Sequence, residues 1–360
     1  MSDAVDIHAR LRLPFPASHV GVDFDAYTAP HYYDLGLTLS IAYYRSGDVR
    51  FRDLARKVSD SWWLMPNING GTTNEGTSPQ SPTPRTAGIG GLMLRALDGR
   101  PEMWPWLNRW LRDMNTIWLS RWLTSPVLVQ GVRDGGYTLT YLAWAAKVHP
   151  DPVIRAEMLQ KAKDAAVKYY ARLQHPDGGW YWEFTPEWVP QGGDMFGSNP
   201  FHVGLLLEGL IATHQLTGDT TIARTIIKSV DWFYAKAFEQ QPVTNLTTGV
   251  RWRAMKYLVY RTNPTINDRT TAERWGSADG AVRDERQLNP DVLHAYGYAF
   301  KLTGDPKYIV QGDEIFASTF GKGRGPGSDA YWGLADFRGK EFNQSYRSSG
   351  KYLAWRIGVP

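Results

Sequence analysis

Several acidic residues of this chain stand in stretches rich in glycine and tryptophan, where a carboxyl group can face a ligand. Glu75 lies in Thr73-Asn74-Glu75-Gly76, Asp134 in Arg133-Asp134-Gly135-Gly136-Tyr137, Glu183 in Gly178-Gly179-Trp180-Tyr181-Trp182-Glu183, and Asp194 in Gly192-Gly193-Asp194-Met195. Asp279, Asp284 and Glu341 are further candidates. Cleavage of a glycosidic bond needs two carboxyl groups across a cleft, about 5–5.5 Å apart for retention or about 6.5–9.5 Å for inversion. One of them must be kept protonated near neutral pH, which a desolvated, Trp-lined position achieves. Asp134 equally suits a turn or an N-cap.

Aromatic residues surround these groups. With 16 Trp and 19 Tyr, a loop as dense as 180–188 can hardly bury every ring, and Trp180, Trp182 and Trp275 are expected to stack sugar faces. The alternative is that they anchor loops from inside. Around Asp194 the sequence continues to Asn199-Pro200-Phe201-His202, which makes Asp194, Asn199 and His202 the densest polar cluster in the chain. His202 has a bland reading as a satisfied structural histidine. Tyr137, Arg133, Tyr346 and Arg347 complete the expected substrate contacts.

A second chemistry competes. β-Elimination from a uronate polymer needs a neutralised carboxylate, a base and an acid. Asn199, His202, His294, Tyr296, Tyr346 and Arg347 are residue types suited to those roles, and Arg251, Arg253, Arg261, Arg269, Arg274, Arg283 and Arg286 fill the later loops. Guanidinium groups grip carboxylates well. Acidic neighbours in the same loop (Asp268, Glu273, Asp279, Asp284, Glu285) can pair with them, which leaves elimination second. A non-catalytic carbohydrate-binding module is a third reading.

The elements that must position these residues repeat. Short turns built on Gly or Pro beside Asp occur at Ser46-Gly47-Asp48, Asp98-Gly99-Arg100-Pro101, His149-Pro150-Asp151-Pro152, Thr217-Gly218-Asp219 and Thr303-Gly304-Asp305-Pro306. Glycine takes the left-handed conformation that closes a helix, and Asp accepts from the free N–H groups of the next one. The pattern predicts helical hairpins over 33–63, 86–122, 137–173, 201–238 and 290–320, with an unpaired last helix over 343–356. First helices are dense in Gly and Ala, while second helices carry a charged face such as Arg50, Arg52, Asp53, Arg56 and Lys57. Small residues permit close packing and charges belong in water. The expected fold is all-α, an (α/α)6-type toroid of two concentric rings. It is one domain over 1–360, with an N-terminal arm over 1–32 and the long loops on one face.

The hairpins ATHQLTGDTTIARTIIKSVDWF and AFKLTGDPKYIVQGDEIFASTF resemble those of the six-hairpin glycosidase superfamily, the carbohydrate-active (α/α) toroids. That group includes inverting endoglucanases, unsaturated-uronyl hydrolases, sugar epimerases and polysaccharide lyases. The stretch NEG followed by RDGGYTLTYLAWA is similar to the loops in which inverting endoglucanases hold their acidic pair, which implies catalytic roles for Glu75 and Asp134. Gly76, however, leads into a Ser/Pro-rich stretch rather than straight into a helix.

Composition narrows the partners. No Cys is present, so disulfides and thiolate metal sites are excluded. The net charge of +4 comes without a basic run, which disfavours nucleic acid. No membrane-length apolar stretch and no signal peptide are visible. The eight His show no zinc spacing, so no cofactor is expected beyond a structural calcium on loop carboxylates. The expected partner is a poly- or oligosaccharide substrate.

Overall fold

The computed structural model describes residues 34–63, 88–114, 123–126, 128, 132–183, 195–238, 243–244, 251–252, 255, 259–262, 289–320 and 339–357. The N-terminal arm, Glu75, Asp194 and Trp275 lie outside the described residues, as do most of the long loops.

Hairpins dominate the described chain, as the punctuation predicts. The first pairs α1 (Leu35–Ser46) with α2 (Val49–Trp63), and the second pairs α3 (Ile89–Leu97) with α4 (Trp104–Met114). Next come α5 (Val132–Val148) with α6 (Pro152–Asp164), and α7 (Pro200–Thr217) with α8 (Thr220–Trp232). The fifth pairs α9 (Pro290–Thr303) with α10 (Lys307–Phe320), and α11 (Gly339–Arg356) follows. Gly47, Gly218 and Gly304 have φ of 71°, 63° and 70° and close α1, α7 and α9. Asp151 and Asp219 accept from Val153 N and Thr221 N to open α6 and α8.

The first helices, α1, α3, α5, α7, α9 and α11, form the inner ring of an all-α (α/α)6-type toroid; the second helices lie outside. Buried residues run all the way round α7 and α9, whereas α2 and α8 bury one stripe. Two short antiparallel sheets top the helices: β1 (Trp182–Glu183) with β2 (Met195–Ser198) and β5 (Val259–Thr262), and β3 (Val243–Thr244) with β4 (Arg251–Trp252). In the first sheet Trp182 faces Gly197, and Gly197 faces Tyr260. β2 leads directly into α7.

Glycine sets the spacing of the inner ring. A Cβ on Gly136 would lie 2.7 Å from Leu206 N, and one on Gly209 would lie 2.9 Å from Gly136 O. Backbone cannot yield as a side-chain tip does. Gly136→Ala is therefore expected to destabilise the protein by about 1–3 kcal/mol in urea titration, despite alanine's better helix propensity. Between α7 and α9, a Cβ on Gly204 would meet Asp291 O at 2.4 Å.

Asp34 holds the first two inner helices together. It has φ of 64° and is buried, and its carboxylate accepts from Leu37 N, Gly90 N, Gly91 N and Tyr141 Oη at 2.7–3.1 Å. Burial nonetheless holds its pKa above the ordinary value, against the pull of those N–H groups. Asp34→Ala would strand these donors at once, so a loss of at least about 1–3 kcal/mol is expected by thermal and urea unfolding. At the other end of α1, Arg45 donates to Tyr346 O at 2.8 Å and Arg347 O at 3.3 Å, joining α1 to α11.

Candidate functional site

Each inner helix starts at the same face of the toroid, so first-turn side chains of successive helices gather round one mouth. Arg133 and Asp134 stand in the first turn of α5, Asn199 caps α7 with His202 in its first turn, and Asp291 lies in the first turn of α9. Asp134 is buried to 9% exposure and Asp291 to 2%. The predicted hairpin over 137–173 leaves Asp134 in the loop before it; the helix instead begins at Val132. A glycine pair can sit inside a helix when its neighbour's backbone approaches this closely.

His202 is positioned by its neighbours. The Trp182 ring stacks on its imidazole at 6.1 Å between centroids and 27° between planes, while Phe201 lies 4.1 Å away. Trp182 reaches this place because β1 pairs with β2, the strand that leads into α7. Half-buried Trp182 thus stands at the mouth.

Trp180 does not. It is fully buried, and its indole N–H donates to Tyr170 O at 2.9 Å, so no face remains for a sugar. The reason is the Gly178–Gly179 turn, pressed against α8: a Cβ on Gly178 would lie 2.2 Å from Lys228 O. Alternation along the extended chain then sends Trp180 inward, while the Tyr181 hydroxyl donates to Asp177 at 2.8 Å and accepts from the Trp232 indole at 3.0 Å. Glu183 pairs through its backbone with Phe196; its side chain is not among the described ones.

A polar layer touches every inner helix, lying one turn or more inside α5, α7, α9 and α11 and reaching the N-termini of α1 and α3. Glu208 of α7 pairs with Arg347 of α11 at 3.2 Å and with Lys351 at 2.9 Å. The guanidinium of Arg347 lies over the Tyr137 ring of α5 at 5.9 Å, and Tyr141, one turn on, bonds Asp34 ahead of α1, whose carboxylate also holds α3. On α9, His294 contacts Ser348 of α11: its backbone N–H donates to Ser348 Oγ at 3.1 Å, and Nδ1 lies 2.7 Å from the same oxygen. The Ser348 hydroxyl, with one donor and two acceptor sites, thus ties both the backbone and the ring of His294 to α11.

Burial, with Lys351 and Arg347 nearby, pushes the His294 pKa down to about 3, so the ring is neutral. Glu208 is held far below the usual carboxylate range: burial alone would raise it, but the Arg347 and Lys351 charges outweigh that. Tyr141 is pushed well above 10 by burial and by Asp34, so it remains a donor.

This corrects the sequence reading of Tyr346 and Arg347. The last helix starts at Gly339 rather than at 343, which moves both from the mouth to mid-helix. Arg347 is 2% exposed and committed to Glu208, while Tyr346 faces Arg45 across the ring seam, its ring 5.0 Å from the guanidinium. Tyr137, also buried, belongs to the layer beneath the mouth. The sequence reading missed Asp34, Glu208, Lys351 and Asp291. A lone Glu in Phe201-His202-Val203-Gly204-Leu205-Leu206-Leu207-Glu208 was the available signal, since an ion inside so apolar a helix must have a partner. Among the described residues no group of three His, Asp or Glu could hold a metal ion, and no helix is long and apolar enough to cross a membrane.

No family model matches the chain, and no curated protein matches it. Among solved structures, a D-mannose isomerase aligns over 100% of this chain and 98% of its own, with a TM-score of 0.53 and 13% identity. At that identity the likeness shows a shared fold.

Proposed function

We propose that this chain is a carbohydrate-active enzyme of the six-hairpin toroid type, and that it moves a proton on an open-chain sugar, as in aldose–ketose isomerisation. The observation that carries the reading is His202, held at the mouth by Trp182 between helices that present Asp134 and Asp291. Imidazole is the side chain best suited to take and return a proton near neutral pH. In the proposed reaction His202 removes the C2 proton of the aldose, and the electron pair moves toward C1 as O1 gains a proton, giving an enediol. The proton then returns to C1 while O2 loses its own, so substrate and product are isomers and no external oxidant is required. Arg133 and Asn199 would bind the oxygens. The fold neighbour that isomerises D-mannose supports this class of substrate.

Hydrolysis of a glycosidic bond is the second reading. It is favoured by the Asp134 carboxyl in the first turn of α5, with Glu75, Glu183 or Asp194 as its partner. Elimination is weaker, because Arg347 is already engaged by Glu208.

One experiment separates these. The purified protein is incubated in D2O with D-mannose and other aldohexoses, and in parallel with neutral and uronate polysaccharides. Ketose formation is expected, with deuterium at C1 of the ketose or at C2 of the recovered aldose. New reducing ends from a polysaccharide, without deuterium on carbon, would replace isomerisation by hydrolysis; ultraviolet absorbance of unsaturated uronate would replace it by elimination.

A further inference from the structure

On the face opposite the mouth, where the hairpin turns lie, α1, α2 and α3 enclose a pocket of about 280 Å³. Its walls include Tyr43 and Tyr44 from the last turn of α1, Arg52 and Arg56 one turn apart on α2, and Leu94 and Asp98 at the end of α3. None of these belongs to the mouth or to the polar layer, and nothing in the proposed reaction uses them.

Among the described residues, the only full charges on the pocket wall are three arginines and one aspartate, and the arginines carry the larger unspent hydrogen-bonding capacity. Arg95 has every guanidinium nitrogen engaged: it makes two bonds to Asp60 at 2.9 and 3.0 Å and a third to Asp98 O. Arg56 spends Nε and Nη2 on the Asp98 carboxylate, and its Nη1 has only a 4.0 Å contact with Asp53. Arg52 leans on Asp53 through two long 3.4 Å contacts and lies 5.7 Å from the Tyr43 ring centre, with Nη1 in no hydrogen bond among the described residues. The Tyr43 and Tyr44 hydroxyls likewise make none among those residues. The one carboxylate on the wall, Asp98, has both oxygens occupied by Arg56. What the pocket offers is unspent guanidinium N–H groups and phenol hydroxyls, beside an aromatic wall and the apolar Leu94.

We propose that this pocket is a second ligand site, for a small organic monocarboxylate of about one sugar ring, with its carboxylate on Arg52 and Arg56 and its body against Tyr43. An acceptor-rich head satisfies the leftover donors, and a planar carboxylate matches the guanidinium fork. Arg52, Arg56 and Arg95 are balanced by Asp53, Asp98 and Asp60, so the site matches one negative charge better than two. The volume lies just under the usual range for ligand pockets, about 300–1,000 Å³, which fits one ring.

Calorimetric titration tests this with sodium D-glucuronate as the probe, inorganic phosphate and D-glucose as comparisons, all at one ionic strength. The wild-type protein is expected to bind glucuronate, and neither comparison to match it. Arg52→Ala is expected to weaken glucuronate binding at least tenfold, Arg52→Lys to keep part of it, and His202→Ala to leave it unchanged. Melting curves without ligand verify that the variants are folded. Arg52 is a surface residue whose ion pair contributes little, and Tyr43→Phe provides a second variant that removes a hydroxyl alone. The proposal is overturned by absence of binding to the wild type, by equal binding to Arg52→Ala, or by stronger binding of phosphate or glucose. Loss of binding in His202→Ala would assign the probe to the mouth and overturn it too.

Discussion

Glu208→Ala is expected to destabilise the protein by about 3–5 kcal/mol, more than Gly136→Ala or the loss of any exposed ion pair, because it leaves a buried guanidinium without its counter-charge. The asymmetry between the partners decides this. The Lys351 side chain, at 26% exposure, can turn toward water, but Arg347 at 2% cannot. Lys351→Met should accordingly cost about 0–1 kcal/mol. Replacing Glu208 and Arg347 together by well-packed apolar residues should recover much of the loss, since neither charge then remains to be solvated. Chemical denaturation of the four proteins measures all of this. The pH dependence has a defined sign. Glu208 has a folded pKa depressed below its ordinary 4.5, so its contribution is full above 4.5 and is lost as pH falls toward the folded value. His294, pushed from 6.5 to about 3, binds its proton more readily in the unfolded chain, so stability also falls as pH drops through that window. Stability of the wild type should therefore decline from about pH 6.5 downward, more steeply below 4.5. His294→Gln should reduce that decline between about pH 6.5 and 3 without removing it, because burial lowers the pKa of His149 and His214 in the same direction.

The second large effect is on turnover. His202→Ala is expected to lower kcat by about 10²–10⁴-fold, the usual contribution of a positioned acid–base group, with little change in melting temperature. Trp182→Ala should lower it less, since it removes the ring that orients the imidazole while leaving the imidazole itself. The readout is deuterium exchange at sugar carbon, which reports proton transfer before any later step. Undiminished exchange in His202→Ala would remove the residue from the mechanism and move attention to Asp134.

Glu208 and His202 differ in how visible they are in the sequence. The hairpins are legible because every device that makes them is local: Gly218 closes α7 four residues after the carbonyl it caps, and Asp219 opens α8 two residues before the N–H it accepts from. The inside and outside rings are legible because glycine density and charge density are properties of one helix at a time. His202 stands out for the same reason, as a histidine just after an Asn-Pro cap. The polar layer is a different case. Glu208 and Arg347 are 139 residues apart, and nothing near either one names the other. Trp180 and Trp182 show the limit at short range. They are two residues apart in the same aromatic run, and only the close approach of Gly178 to Lys228 O decides that one is swallowed by the core.

The seam between α1 and α11 carries a consequence for how the chain reaches this state. Each hairpin can form from neighbours in sequence, and each inner helix can dock on the one before it. The bonds from Arg45 to the carbonyls of Tyr346 and Arg347 instead span 301 and 302 residues. Such a contact returns free energy only after the entropy of closing the whole intervening chain has been spent. The toroid is therefore expected to assemble like a spiral that shuts on itself late, after its hairpins have stacked. Before closure Arg347 already has Glu208 within its own half of the spiral, whereas Asp34 and Tyr141 lie in the other. Slow refolding kinetics, with early protection of α5 and α7 amides and late protection at α1 and α11, are what this geometry entails.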